Sequence, residues 1–384
     1  MKEWKEYSLD EICTDIFAGG DAKKLNPTKE KTNNNKIPIY ANSVENEGLY
    51  GYCQIPIVSK PAITIAARGA GTGFVAYREK PFTPIVRLIT LVTKNIVDTK
   101  FLYYNLKNKG IKGDGSAIPQ ITIPMIKKEI VSIPNIHVQK KIAGILSPLD
   151  GKIKLNHRIN ENLAQQAQAL FKSWFVDFEP FKDGKFVDSE FGKIPEGWKV
   201  GILSDIANIT MGQSPKGTSY NEIGNGIVFY QGRADFGNRF PSIRLFTTEP
   251  SRYAEPHSVL LSVRAPVGDI NVAVEKCCIG RGLASILSKD NHQSFILYTM
   301  YSLKKELDKF NSEGTVFGSI NRFSIENLKI VIPPIDVMDE FEHLVSKIDN
   351  LLLNLFQETT RLEQLRDILL PRLMSGELKI TDIE

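Results

Sequence analysis

The most regular pattern in the chain is a heptad seam. After Pro134, the positions Ile142, Leu146, Leu149, Ile153, Asn156, Asn160, Leu163, Ala167, Leu170 and Trp174 recur in alternating steps of four and three. Such spacing lines up one stripe of a helix that lies against another helix. The same alternation returns at Phe341, Val345, Ile348, Leu352, Leu355, Thr359, Leu362, Arg366, Leu369 and Leu373. About 40 residues of helix extend roughly 60 Å, more than a compact domain needs. Two stripes of equal length in one chain are therefore expected to bury each other. Asn156 and Asn160 are polar seam positions, which fix register at some cost in stability.

Ahead of the first seam the pattern is that of short strands. "ITIAARGAGTGFVAY", from Ile63 to Tyr77, runs a hydrophobic strand into Gly69, Gly71 and Gly73. A dinucleotide-binding turn needs Gly-x-Gly-x-x-Gly between a strand and a helix. Here Phe74 stands where the third glycine belongs, and "FVAY" continues as a second strand. Its counterpart later in the chain, "VLLSVRAPVGDINVAV", keeps strand, turn, strand and arginine, but has Ala265 and Val267 for Gly69 and Gly71. The expectation is a β-hairpin in each copy, with Arg68 or Arg264 where the first strand ends. For each arginine the plain alternative is a solvated turn residue.

That correspondence is part of a repeat covering the whole chain. Gly115 to Trp174 and Gly314 to Leu373 match without gaps at a constant offset of 199, and "IVSIP" ending at Pro134 pairs with "KIVIP" ending at Pro333. Upstream, Trp4 pairs with Trp198 at an offset of 194, and Arg68 with Arg264 at 196. The excess of the second copy thus falls between Trp198 and Gly314, where the copies are least alike. Length changes collect in loops, so this segment reads as a variable insert on a more constant frame. Pseudo-two-fold packing of duplicates would set the long helices antiparallel and the two inserts at opposite ends.

Composition removes several function classes. With 384 residues, 42% of them hydrophobic, the chain is large enough for two or three domains with real cores. No apolar run approaches the ~20 residues of a spanning helix, and "MKEWKEYSLDEI" lacks the apolar stretch of a signal peptide. A cytoplasmic protein without membrane contact is expected. Cys13, Cys53, Cys277 and Cys278 show no metal-binding spacing, so they read as core or surface residues. Gly-x-x-x-x-Gly-Lys-Ser/Thr, Gly-x-Ser-x-Gly and the Asn/Asp-Pro-Pro-Tyr of amino-methyltransferases are all missing from the sequence. Neither a catalytic nor a metal site is expected. The net charge of +4 permits an anionic partner without demanding one.

What the scaffold binds is suggested by the inserts. "DAKKLNPTKEKTNNNK" gathers Lys23, Lys24, Lys29, Lys31 and Lys36, and "IPIYANSVENEGLYGY" follows with Tyr40, Asn42 and Ser43. The second insert supplies Gln213, Lys216 and Tyr220 in "MGQSPKGTSY", then Gln231, Arg233, Asn238 and Arg239 in "YQGRADFGNRF". Lysines suit phosphates, while amides and arginines suit base edges, so these residues are candidates for DNA contact together with Arg68 and Arg264. A lysine run is otherwise a solvated loop.

From end to end the chain resembles the DNA-specificity subunits of Type I restriction-modification enzymes. The resemblance is carried by the two Trp-initiated inserts, "IPIYANSVENEGLYGY", "LLSVRAPVGDINVAV", "GDGSAIPQI" and "LEQLRDILLPRLMSGEL", and above all by Gln139 to Phe181. The second copy departs from it with Met338 in place of Gln139 and "GTVFGSI" in place of "GSAIPQI". The resemblance implies an α+β protein: two mixed α/β target-recognition domains separated by two long antiparallel coiled-coil helices, with an internal pseudo-two-fold repeat. The corresponding segments are 1–134 and 198–333 for the recognition domains, 135–178 and 334–384 for the helices with the C-terminal tail, and 179–197 for the linker. It further implies a prokaryotic, non-catalytic subunit that binds double-stranded DNA at a bipartite site. Two modification (methyltransferase) subunits and the restriction (motor and nuclease) subunits would assemble on it. Candidates for their docking are Gln139, Leu163, Leu170, Phe171, Trp174, Phe175, Leu362, Leu369 and Leu373. S-adenosylmethionine, ATP and Mg would bind those partners, leaving this chain without a cofactor. The rival readings are a coiled-coil scaffold without DNA readout and a stand-alone methyltransferase.

Overall fold

A computed structural model describes residues 4–115, 119–311 and 318–378, apart from the side chains of Lys23 and Lys24. Parts of "GDGSAIPQI" and "GTVFGSI" therefore lie outside the described residues. The chain divides into two units, 1–154 with 360–384, and 155–359. The division passes through both long helices, α4 (Ile136–Phe175) and α9 (Ile335–Met374), each 40 residues long.

In the first unit, β1 (Lys5–Ser8) pairs antiparallel with β9 (Ile130–Ile133). The short helix α1 (Leu9–Ile12) follows at once. Its sequence, Ser-x-x-Glu before an apolar residue, forms a reciprocal cap: Ser8 N donates to Glu11 Oε2 at 2.7 Å, and Glu11 N to Ser8 Oγ at 3.4 Å. Next come β2 (Cys13–Ala18), β3 (Ile37–Tyr40), β4 (Leu49–Cys53), β5 (Ala62–Ala66), β6 (Val75–Arg78), β7 (Thr83–Pro84) and β8 (Leu88–Thr93). The main sheet has the order β2-β8-β5-β6, and β4-β3-β7 forms a smaller one. The glycine-rich stretch is a hairpin, Ile63 facing Tyr77 and Ile65 facing Val75. It is no phosphate loop. Gly73, at φ +87°, lies so near Ile111 O that a Cβ would fall 2.0 Å from it, so only glycine closes this turn. The helices α2 (Thr99–Lys109) and α3 (Ile123–Lys128) complete the unit. Its core joins Leu9, Ile63, Ile65, Leu91, Phe101 and Leu106 to Ile142 and Leu146 of α4 and to Leu370 and Leu373 of α9.

Between the repeats lies a small hairpin of β10 (Phe186–Ser189) and β11 (Gly192–Pro195). The second unit then repeats the first. It contains β12 (Lys199–Ile202), α5 (Leu203–Ile206), β13 (Ala207–Met211), β14 (Tyr220–Asn221), β15 (Ile227–Tyr230), β16 (Leu245–Thr247), β17 (Tyr253–Ala254), β18 (Val259–Ser262), β19 (Ile270–Val272), β20 (Cys277–Ile279) and β21 (Leu283–Ser288). After them come α6 (Gln293–Ser302), α7 (Lys304–Lys309), α8 (Arg322–Glu326) and β22 (Lys329–Ile332). The main sheet, β13-β21-β18-β19, has the strand order of its counterpart, and β12 pairs with β22 as β1 does with β9. In both smaller sheets one pair is parallel, β3 with β7 and β15 with β20. The second of these sheets gains two short edge strands, giving β14-β16-β15-β20-β17. The frame is thus constant and the insert is where the copies differ.

The seams are filled as their spacing requires, for every seam position of both helices is buried or half-buried. Inside the second unit Asn156 Nδ2 donates to Glu358 Oε2 at 2.8 Å and to Thr359 Oγ1 at 3.2 Å, and Phe171 meets Phe341 at 5.9 Å between ring centroids. As α4 advances from 156 to 171 its partner positions on α9 fall from 359 to 341, so these segments run in opposite directions. Asn156 is fully buried and its Oδ1 has no partner among the described residues, the cost of a polar group on an apolar seam.

Candidate nucleic-acid interface

The second unit brings several insert residues from distant parts of the chain into one depression. Gln231, Arg233, Arg244 and Arg264 line it with Asp235 and Gly282, and it encloses about 360 Å³. Asp235 shapes the loop after β15. Its side chain is buried, with Oδ2 accepting from Gln231 N at 2.7 Å and Gly232 N at 3.2 Å, and Oδ1 accepting from Arg244 Nε at 2.7 Å. This turns Gln231 and Arg233 outward, where both are exposed. Arg233 Nε reaches Asp269 at 2.6 Å in the hairpin turn, and Lys304 approaches the same carboxylate at 3.2 Å. Burial works against the charge on Asp269, yet the hydrogen bonds from Arg233 and Lys304 outweigh it and hold the carboxyl below its usual range. Arg264 is exposed at the edge of the depression.

The remaining candidates of this insert serve in different ways. Gln213 and Lys216 are exposed, although the backbone of Gln213 is tied to Ile279 O at 2.9 Å. The ring of Tyr220 packs on Phe229, 4.9 Å between centroids, and its hydroxyl donates to Pro215 O at 3.0 Å. Arg239 points inward. Its guanidinium bonds Asp349 Oδ1 at 2.5 Å and Tyr298 Oη at 3.3 Å, with the side chain 12% exposed. The structure therefore gives Arg239 an internal tie to α9 that its sequence context did not signal.

In the first unit Lys29, Lys31 and Lys36 are exposed on a loop held by its own hydrogen bonds. Thr28 and Tyr52 exchange backbone bonds of 3.0 and 2.8 Å, and the buried Asn35 donates to Asn26 O at 3.2 Å. The lysines are thus presented from a fixed base. Lys23 and Lys24 have no described side chains. Asn42 clamps the backbone of Arg68, accepting from its N at 3.1 Å and donating to its carbonyl oxygen. The Arg68 backbone also pairs with Gln120. Tyr40 stacks under the buried Arg78 guanidinium, 3.7 Å from ring centroid to Cζ, and Ser43 Oγ accepts from Glu45 N at 3.2 Å. Asn42 and Tyr40 are thus occupied inside the unit, Asn42 on the backbone of Arg68 and Tyr40 on the guanidinium of Arg78.

The long helices carry the remaining candidates. Gln139 is buried, accepting from Asp98 N at 2.8 Å and donating to Pro134 O at 2.8 Å and Ile96 O at 3.2 Å. It ties the start of α2 to α4. In the second copy Met338 lacks that chemistry, and the role moves one turn along α9 to Glu342, whose carboxylate accepts from Ser294 N at 2.9 Å at the start of α6. Burial raises the pKa of Glu342, and the bonds from Ser294 and Phe295 oppose the rise. Phe171, Trp174 and Phe175 form an aromatic cluster with Phe341. Leu163, Leu170, Leu362 and Leu369 are half-buried, and Leu373 is buried. Among the described residues no helix is long and apolar enough to cross a membrane, and no cluster of His, Cys, Asp and Glu is placed to hold a metal.

A family model, that of the Type I restriction modification DNA specificity domain, matches residues 1–165 and 195–365, once over each repeat. The chain belongs to this family. Among relatives, it is similar to the Type I restriction enzyme MjaIX specificity subunit of Methanocaldococcus jannaschii, with 28% identity over 86% of this chain and 81% of that one. It is also similar to the Type I restriction enzyme HindI specificity subunit of Haemophilus influenzae, with 25% identity over 98% and 100% of the two chains. A solved structure of the Type I restriction-modification S subunit from M. genitalium shares the fold, with a TM-score of 0.67, 19% identity and 96% coverage of both chains. Sequence reasoning missed Asp235 and Arg244, which shape and line the depression, and Glu342, which ties α6 to α9. For Asp235 the one available signal was its spacing to Gln231; Arg244 carried none.

Proposed function

We propose that this chain is the sequence-reading subunit of a Type I restriction-modification complex, choosing a bipartite, non-palindromic duplex site and performing no chemistry itself. The observation that carries the reading is the constant four-stranded frame, present twice with unlike second sheets and unlike loops. Identical readers would see a palindrome, whereas two unlike readers see two different half-sites. Residues 1–134 and 198–333 serve as the readers. Residues 135–178 and 334–384 act as an antiparallel coiled coil that spaces them, with 179–197 as the linker. Lys29, Lys31 and Lys36 suit phosphates, and Gln231, Arg264 and Arg68 suit base edges. Two modification subunits dock on the helices and restriction subunits join them. Methyl transfer to adenine from S-adenosylmethionine, and ATP-driven cleavage, belong to those partners. Methylation mapping of cells with and without the gene tests the reading. A methylated bipartite motif is expected to disappear with the gene, and an unchanged methylation pattern rejects the proposal.

A further inference from the structure

Each copy carries an arginine at a corner that the insert motifs do not single out. In the first, Leu88 N donates to Ile85 O at 3.3 Å and encloses Val86 and Arg87 in a tight turn. In the second, Leu283 N donates to Gly280 O at 3.0 Å and encloses Arg281 and Gly282. Both corners lead into the central strand next to the frame's edge, β8 or β21.

The two turns are built differently and present the same group. Val86 and Arg87 have φ of +25° and +62°, a left-handed conformation uncommon for any residue but glycine and an outlier for a β-branched one. Tertiary bonds hold it there: Ile85 N donates to Tyr40 O and Val86 N to Gly20 O, each at 2.9 Å. In the second copy the corner presses against the loop after β15. A Cβ on Gly280 or Gly282 would stand 2.8 or 2.9 Å from Gln231 O, so both must be glycine. Arg281 N donates to Ser214 Oγ at 3.3 Å, and Gly282 O accepts from Val263 N at 2.9 Å. Arg281 thus emerges among the loops of Gln213, Gln231 and Arg264. Both arginines are exposed, and neither has an ion pair among the described residues. Arg78, Arg233, Arg239 and Arg244, by contrast, each pair with a carboxylate.

We infer that Arg87 and Arg281 each read a base edge, one in each half of the DNA site. The inference rests on the DNA-reading function proposed above. A corner held in close backbone contact with neighbouring loops gives a guanidinium the fixed aim that bidentate base contact needs, which attraction to a phosphate does not require.

Selection from random duplexes by the full chain assembled with its modification subunits tests this. Arg87→Ala is expected to lower discrimination about tenfold or more at a position in one half-site, and Arg281→Ala likewise in the other half. Arg87→Lys and Arg281→Lys keep the charge but lose the planar fork, and should relax specificity as the alanine variants do. Thermal melting, expected unchanged for these exposed positions, separates loss of reading from loss of fold. Unchanged preference, rescue by lysine, or uniform weakening across all sequences with a shallower salt dependence would overturn base reading. A wild-type complex that selects no sequence would instead remove the DNA-reading function on which the inference stands.

Discussion

Asp150 and Asp349 occupy equivalent positions of the two long helices, and each accepts a hydrogen bond of 2.8 Å from an equivalent tyrosine, Tyr104 or Tyr298. The arginine that neutralises them comes from a different place in each copy. Asp150 takes Arg366, from the seam of α9, at 3.0 Å, whereas Asp349 takes Arg239, from the second insert, at 2.5 Å. The counterpart of Arg366 in the repeat is Ala167, which offers no charge, so the insert supplies one. Arg366 on a heptad seam looks anomalous in sequence and is explained by this partner. Arg239 looked like a DNA contact because its neighbours are polar and loop-like, and a partner 110 residues away leaves no local trace. Asp349→Asn removes the charge that Arg239 depends on in a site 12–19% exposed. A loss of about 1.5–3 kcal/mol is expected, seen as a fall in Tm of roughly 2–4 °C per kcal/mol. Arg239→Gln paired with Asp349→Asn should recover part of it. A melting curve for Asp349→Asn that matches wild type would show that the pair contributes nothing.

Among elements, those with a long period were legible in the sequence. Both helices stand where their seams place them, and the hairpin of β5 and β6 lies under the glycine stretch. β14 and β17 were not legible, because a strand of two residues has no alternation to detect. They exist because β16 and β20 offer them backbone edges to pair with. The helices also make a claim about spacing that can be measured. If they set the distance between two readers, lengthening both by one heptad at facing positions should lengthen the unread spacer. Asn156 and Thr359 mark such positions, since Asn156 Nδ2 donates to Thr359 Oγ1. Seven residues inserted after each keep both seams in phase and add about 10.5 Å of helix. Methylation mapping is expected to return the same half-sites with about three more base pairs between them, at 3.4 Å per pair. A spacer that does not change rejects the helices as a ruler.

At the scale of the molecule, the question is whether the two readers act independently. The repeated frame argues for it, since each main sheet closes within its own unit and each insert packs a small core of its own, such as Val228, Tyr230, Leu260 and Ile279 in the second. Two ties nevertheless cross from the second insert to the frame: Tyr298 and Arg239 to Asp349, and the start of α6 to Glu342. Residues 198–313 can therefore be exchanged for the equivalent segment of a related subunit only if the donor supplies a tyrosine at 298 and a partner for Asp349. With those kept, one half of the methylated motif should change to the donor's half, while the other half and the spacer persist. A donor with leucine at 298 would remove the tyrosine hydrogen bond to the Asp349 carboxylate, and that chimera should be less stable by about 1–3 kcal/mol. Mapping the motif of the matched chimera decides between modules and a coupled pair. If both halves change after this single exchange, recognition at one end depends on the other through the shared helices, and the duplicated frame works as one reader.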